Sequence, residues 1–389
     1  MTDEVLAGKE LHPIKALMID PSLLTPDTQL YLRPIWFAES PVGLDGQTAR
    51  MGGGLIWFQG YEVTARTGEI VQRSRVAVAD FNDWCAYLVE PLAIRARMLA
   101  ANISAIRPPL ALGQRMIRFD MPQVMGILNM TPDSFSDGGK HIDDPVAAAD
   151  AGFTMMEKGA AIIDVGGEST RPGAARLWEG DEIKRVVPVI ERLAASGTPI
   201  SIDTRKAAVM EAALAAGAGL VNDVSALLHD PRAMEVVAAA GCPVVLMHAS
   251  AVGDNPHDNP VYHDVVTDVF DWLEKRVVAC EAAGIARDKI IVDPGIGFGK
   301  SLADNLAIMN RLALYQGLGV PLLLGVSRKR MIGALSNEAP AGARLGGSLT
   351  LALRGIDAGA QMVRVHDVPE TVQMAHVWRG LRDAALVTG

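Results

Sequence analysis

Between Val124 and His366 the chain repeats one pattern eight times: a short apolar run that ends in a polar or charged residue. The runs are VMGILN to Asn129, AIIDVGGE to Glu168, PISID to Asp203, LVND to Asp223, PVVLMH to His248, KIIVD to Asp293, PLLLGVSRK to Lys329 and MVRVH to His366. Helical patterns separate them. Strands buried on both faces read as continuous Val/Ile/Leu runs and belong to parallel sheets. Eight alternations of strand and helix predict an α/β fold of the TIM (β/α)8 barrel type, whose active site is built at the C-terminal ends of the strands. All eight polar tips therefore face one mouth.

A barrel of this kind needs roughly 250 residues, and the chain has 389. The excess lies in front. Residues 1–115 do not follow the strand–helix rhythm: LIWFQGYEVTARTGEIVQRSRVAVADF reads as short strands with a turn near Gly68, and Phe81 to Ile106 as mostly helical, ending before Pro108 and Pro109. The expected organisation is a small N-terminal α/β appendage over 1–115, a linker near Arg107–Gly113, and the barrel over 116–389. The pattern assigns the appendage no role and no docking partner. Within the barrel, Asp144 and Pro145 predict a capped helix start that Gly159 closes. Ile183, Val186, Val187, Ile190, Leu193 and Ala194 fall on one helical face. The polar stretch ASAVGDNPHDNPVY after His248 predicts a loop over the mouth.

Composition narrows the ligand class. A net charge of −9 and a pI near 5.4 give no general attraction to nucleic acid or an anionic membrane. Any anionic ligand must be held by local basic groups. Cys85, Cys242 and Cys280 are odd in number and widely spaced, with neither zinc spacing nor a disulfide framework. The acidic start MTDEVLAGKE lacks an apolar core, and the greasiest stretch, Leu312 to Val326, is broken by Gly317, Gly319 and Pro321. A cytoplasmic protein without a signal peptide or membrane span is the expectation.

The loops after the strands carry the chemistry. GILNMTPDSFSDGG places Asn129 at a strand tip, where an amide oxygen suits a hard cation such as magnesium. DVGGESTRPGA adds two glycines for close backbone approach, hydroxyls at Ser169 and Thr170, and the donor fork of Arg171. Asp203, Asn222 or Asp223, and Asp293 end strands three, four and six. A lone strand-end Asp usually caps the next helix; three convergent acceptors instead fit a flat heterocycle with amino and ring N–H donors. DPGIGFGK contributes Phe298 beside them. In GVSRKRMIG, Lys329 is the cation expected to aim inward, with Arg328 and Arg330 solvated. Arg364 and His366 share a strand face, at a position where barrels recurrently bind phosphate. His248 stands at a tip without a partner in view, and His229, His257, His263 and His376 read as surface or loop histidines.

Taken in order, GILNMTPDSFSDGG, DVGGESTRPGA, ISIDTRK, VNDVSA, VVLMH, VDPGIGFGKS, GVSRKRMIG and RVHDV resemble the dihydropteroate synthases of folate biosynthesis, from about Gln123 to Asp367. The resemblance implies a transferase that condenses 6-hydroxymethyl-7,8-dihydropterin diphosphate with p-aminobenzoate to give 7,8-dihydropteroate and pyrophosphate. It further implies a pterin pocket of Asp203, Asn222, Met247, Asp293, Phe298 and Lys329. Asn129, Thr170, Arg171, Arg364 and His366 would take the diphosphate, with Mg2+ held at Asn129. Phe135, Thr170, Pro172, Phe298 and Lys329 would form the p-aminobenzoate slot. Asn129, Arg171, Lys329, Arg364 and His366 would be the catalytic groups. Glu168, Asp223 and His248 would then support rather than bind. Relatives pair through barrel helices, which implies a homodimer, and the lack of a Phe–Gly insertion near SRK implies a sulfonamide target. Two features depart from the pattern: the ASAVGDNPHDNP continuation after His248, and Arg330 in place of a small hydroxyl residue. The competing readings are a pterin-binding methyltransferase domain, which has no diphosphate to hold, and a catalytically silent pterin-binding paralogue.

Overall fold

The computed structural model describes residues 19, 24–130, 144–169, 176–249 and 261–387. The chain opens with an antiparallel sheet of four strands: β1 (Gln29–Ala38), β2 (Ala49–Arg50), β3 (Trp57–Thr67) and β4 (Ile70–Ala77). Gly68, with φ +57, turns β3 into β4 where the sequence placed the turn. The expected helical stretch forms α1 (Phe81–Ala86) and α2 (Glu90–Ser104). β1 went unread in the sequence because Pro34 interrupts it. A proline is tolerated there because β1 lies at the sheet edge.

A hairpin follows, β5 (Leu110–Leu112) and β6 (Arg115–Ile117), then the barrel. Its strands and principal helices alternate as β7 (Gln123–Asn129), α3 (Pro145–Glu157), β8 (Ile162–Gly166), α4 (Glu179–Ala194), β9 (Ile200–Asp203), α5 (Ala207–Ala215), β10 (Leu220–Asp223) and α6 (Ala233–Ala240). The second half runs β11 (Val244–Met247), α7 (Val265–Ala282), β12 (Ile290–Asp293), α8 (Leu302–Asn310), β13 (Leu323–Leu324), α9 (Arg330–Leu335), α10 (Leu345–Asp357), β14 (Met362–Val365) and α11 (Val368–Val387). The eight strands pair in parallel in the order β12-β11-β10-β9-β8-β7-β14-β13. A parallel bridge between Val292 and Leu322 joins the two ends and closes the ring. The TIM barrel read from the eight runs is present. Asp144 caps α3 through Val146 N and Ala147 N at 3.0 and 2.9 Å, with Pro145 behind it.

The hairpin forms the floor of the barrel. Leu110, Leu112, Ile117 and Phe119 pack against Met125, Ile162, Leu220, Val245, Ile291, Leu323 and Met362, which form the lowest inward layer of seven strands. The linker expected at Arg107–Gly113 is thus partly β5, and the division between 115 and 116 falls inside this hairpin. Arg107 is itself buried, bonding the Gln316 carbonyl at 3.1 Å and the Asn102 carbonyl at 2.8 Å. Burial pushes its guanidinium down to about 10, with Arg287 adding to the effect.

The N-terminal sheet and helices dock on the barrel's own helix α7. Tyr31 donates to Asp271 at 2.8 Å, Arg66 reaches Asp268 at 2.7 Å and Asp271 at 2.8 Å, and Arg95 grips Glu274 at 2.6 and 3.0 Å. The Tyr31 ring meets Phe270 edge-on. Among the described residues no helix is long and apolar enough to cross a membrane.

Candidate active site

Strand alternation decides which tip residues meet. Ile162 lies in the floor layer, so Asp164 and Gly166, two and four residues on, face the barrel axis too. The same step leads from Leu220 to Asn222, from Val245 to Met247, from Ile291 to Asp293 and from Met362 to Arg364. Register completes the ring: Gly166 stands beside Asn129 and Asp203, Asp203 beside Asn222, and Met247 beside Asp293.

At the centre one guanidinium serves two carboxylates. Arg364 Nε donates to Asp164 Oδ2 at 2.5 Å and its Nη2 to Asp203 Oδ2 at 2.6 Å. Asn222 Nδ2 donates to the same Asp164 oxygen at 3.0 Å, which leaves its own amide oxygen for a ligand. Asp164 is wholly buried, and its Oδ1 has no hydrogen-bond partner among the described residues. Burial pushes the Asp203 carboxyl up to about 7 against the pull of Arg364, and the nearby Asp164 adds to the rise.

The opposite wall carries the remaining groups. Asp293 accepts from Gly295 N at 2.8 Å, and burial raises it to about 6 in spite of that bond and of Lys329. Lys329 Nζ sits 4.2 Å above the Phe298 ring; burial lowers its ammonium to about 8, with Asp293 opposing. Met247, Phe298, Val224 and Ala249 form an apolar cluster separate from the main core. The mouth therefore offers buried acceptors, a cation and an apolar wall, a lining suited to a polar planar ring.

His366 differs from the sequence reading in one respect. Its Nδ1 lies 3.0 Å from Ser327 Oγ, and burial, with Arg364 and Arg328 nearby, pushes it down to about 3. The ring is neutral at physiological pH, so the local positive charge rests on Arg364 and Lys329. Asn129 is half-buried at the tip of β7. Phe135, Thr170, Arg171 and Pro172 lie outside the described residues.

The supporting residues have clear work. Asp223, one residue out of phase with Asn222, accepts from Ser225 N at 2.7 Å and Leu227 N at 2.9 Å, the cap-like role of a strand-end Asp. Glu168 takes Leu177 N at 3.0 Å and pairs with Lys206 at 3.1 Å and Arg205 at 3.3 Å. These three line part of a cavity of about 400 Å³ at the rim with Arg176, Trp178 and His229. Arg330 is exposed beside Glu338 as expected. Arg328, expected to be solvated, is instead largely covered: it pairs with Asp367, and its backbone N–H donates to Ser348 Oγ at 2.9 Å. Asp164 was missed because it lies inside a strand rather than at its tip. The available signal was a charge in the middle of the apolar run AIIDVGG, in phase with the inward positions.

A profile of the family described as pterin binding enzyme matches residues 125–366, well over half of the chain. The chain belongs to the pterin binding enzyme family. Among relatives of this family member, the dihydropteroate synthase of Escherichia coli K12 is 46% identical over 257 residues, 66% of this chain and 90% of that protein. The Bacillus subtilis enzyme of the same name is 47% identical over 253 residues, 65% of this chain and 86% of its own. The structure of Xanthomonas albilineans dihydropteroate synthase with 4-aminobenzoic acid is 47% identical, with a TM-score of 0.66, over 71% of this chain and 98% of that one. The same enzyme in complex with 7,8-dihydropteroate is 44% identical, with a TM-score of 0.63, over 71% of this chain and 99% of that one. More than a quarter of this family member lies outside those structural matches.

Proposed function

We propose that this pterin binding enzyme is a dihydropteroate synthase, joining 6-hydroxymethyl-7,8-dihydropterin diphosphate to p-aminobenzoate. The observation that carries the reading is the convergence of Asp203, Asn222 and Asp293 on one mouth, with Lys329 near Asp293 and Met247 and Phe298 as the apolar wall. A dihydropterin presents the complementary edge, with amino and ring N–H donors on one side and an oxygen on the other. Burial raises Asp203 and Asp293, a cost that such donors relieve. Phe298 and Lys329, with Phe135, Thr170 and Pro172, would complete the p-aminobenzoate slot.

Arg364, neutral His366 and Asn129, with Thr170 and Arg171, would hold the diphosphate. The methylene carbon–oxygen bond breaks first, its electron pair leaving with the diphosphate. The carboxylates around the ring then face a developing dihydropterin cation. The arylamine nitrogen attacks the methylene carbon and releases its proton to solvent, so no general base is required. Stabilising the leaving anion with preorganised donors is typically the largest single contribution, about 10²–10³ in rate for one donor.

The donor set fits magnesium held largely through the substrate. Among the described residues no group of three His, Cys, Asp or Glu side chains could hold a metal ion alone. Asn129 would supply one amide oxygen, and magnesium commonly takes its other ligands from phosphate and water. When bound, the ion would offset diphosphate charge. The reading also includes a homodimer in the cytoplasm, a setting that suits three buried free thiols. Catalysis is assigned to the barrel, and none to the segment before it.

Mixing the pterin diphosphate, p-aminobenzoate and magnesium with the folded protein should release one pyrophosphate per dihydropteroate, and a sulfonamide should compete with p-aminobenzoate. No release would overturn the assignment. Bridge-to-nonbridge oxygen scrambling in the pterin diphosphate without p-aminobenzoate supports cleavage first; its absence would favour concerted displacement.

A further inference from the structure

The loop from Asp293 to Lys300 brings Phe298 to the mouth, and what holds that loop lies behind the barrel wall. His248, one residue out of phase with inward-facing Met247, turns toward α7 and meets Trp272 edge-on, ring centroids 4.9 Å apart. Lys300 Nζ reaches His248 Nδ1 at 2.9 Å, the Gly295 carbonyl at 2.9 Å, the Phe298 carbonyl at 3.0 Å and the His248 carbonyl at 3.3 Å. The residue is buried, and no carboxylate is among these acceptors. The loop is packed so closely on the β11 tip that a Cβ at Gly295, where φ is +69, would stand 1.9 Å from the His248 carbonyl oxygen.

We propose that Lys300 is a positioning residue: its buried ammonium ties the carbonyls of Gly295 and Phe298 to the end of β11 and so fixes the face that Phe298 presents to the arylamine. Three N–H donors and four acceptors around one nitrogen define a single loop conformation. A neutral side chain of equal length would leave the same carbonyls buried without donors. Buried unmet acceptors are costly, so the loop would open to find water. Burial lowers the Lys300 ammonium to about 7, with Asp293 opposing and Lys329 adding to the fall, and what holds Nζ in place is its ring of close acceptors. The neighbouring Asn305 reinforces the loop by accepting from Gly297 N at 2.7 Å and donating to the Lys300 carbonyl at 3.1 Å.

The kinetic arm of the test rests on the synthase reading; the exchange arm does not. In full-length Lys300→Met, amide hydrogen exchange over residues 294–299 should quicken at least tenfold, while β8 and β9 exchange as in the parent. KM for p-aminobenzoate should rise about tenfold with kcat changed less than threefold. If the variant does not fold, His248→Leu removes one acceptor and should give the same pattern more weakly. Unchanged exchange over 294–299, exchange raised throughout the barrel, or a fall in kcat with KM unchanged would overturn the proposal. A parent protein that releases no pyrophosphate would sink the synthase reading and leave the exchange comparison intact.

Discussion

The barrel mouth and the seam between the N-terminal sheet and α7 both pair one Arg with two Asp carboxylates, and they differ in burial and in how completely those carboxylates are bonded. At the seam Arg66 is likewise shared, between Asp268 and Asp271, but Asp271 also takes the Tyr31 hydroxyl, and Glu274 has both terminal nitrogens of Arg95. These groups keep some contact with water, with 16–33% of each charged side chain exposed. At the mouth Arg364 is divided between Asp164 and Asp203, Asp164 keeps an oxygen without a partner among the described residues, and Asp203 is driven up to about 7. The seam is complete in itself. The mouth is an electrostatic arrangement that a ligand finishes, the usual signature of a functional site.

The sharpest way to break this contrast is to remove the shared guanidinium. Arg364→Ala should lower pyrophosphate release about 10²–10³-fold, because it deletes a leaving-group donor and strands two carboxylates. Steady-state release, with circular dichroism as the fold control, measures it. A loss below tenfold would mean that Arg364 is only a structural counter-ion.

Proton linkage gives a smaller effect of definite sign. The folded value of Asp203 is raised, so its contribution to the stability of the protein alone is fully present below the unfolded value of 3.8 and is lost as pH rises through about 7. A pterin that needs the carboxylate should act in the opposite sense. Its affinity should rise up to about tenfold per pH unit toward 7 and then level. Lys329, lowered to about 8, should close the profile on the alkaline side. Titration calorimetry between pH 5 and 9 tests this, and Asp203→Asn should flatten the acid limb. An unchanged acid limb in that variant would move the proton to Asp293.

At the seam the same chemistry should matter little to turnover. Arg66→Ala combined with Arg95→Ala should cost about 1–3 kcal/mol, since partly exposed ion pairs are weak individually. Calorimetry would show this as a melting point lower by several degrees, with pyrophosphate release within twofold of the parent. Turnover lost in proportion to these pairs would erase the distinction between seam and mouth.

Much of the site was legible in the chain because a buried strand encodes its face in its phase. Asp203, Asn222, Asp293, Lys329 and Arg364 were read at strand tips, and the structure brings them to one mouth. Asp164 was not read, since attention to tips passes over a charge inside a strand. The partner of His248 was hidden in the same way. Lys300 is 52 residues away, and nothing local ties a strand-end imidazole to a lysine after a glycine loop. The N-terminal strands β3 and β4 were legible through their turn, whereas Pro34 concealed β1.

The sequence alone determined the eightfold strand–helix alternation and the residue types at each strand end. Its two-residue period also contained the choice between Asn222 and Asp223, and between Met247 and His248, although local pattern left that choice open. Tertiary structure decided which phase faces the axis, because only ring closure against the Leu110–Ile117 floor defines an inside. It also decided the sharing of Arg364 between carboxylates 200 and 161 residues away. Periodicity is a local property of the backbone, but the partner of a buried charge is set by closure.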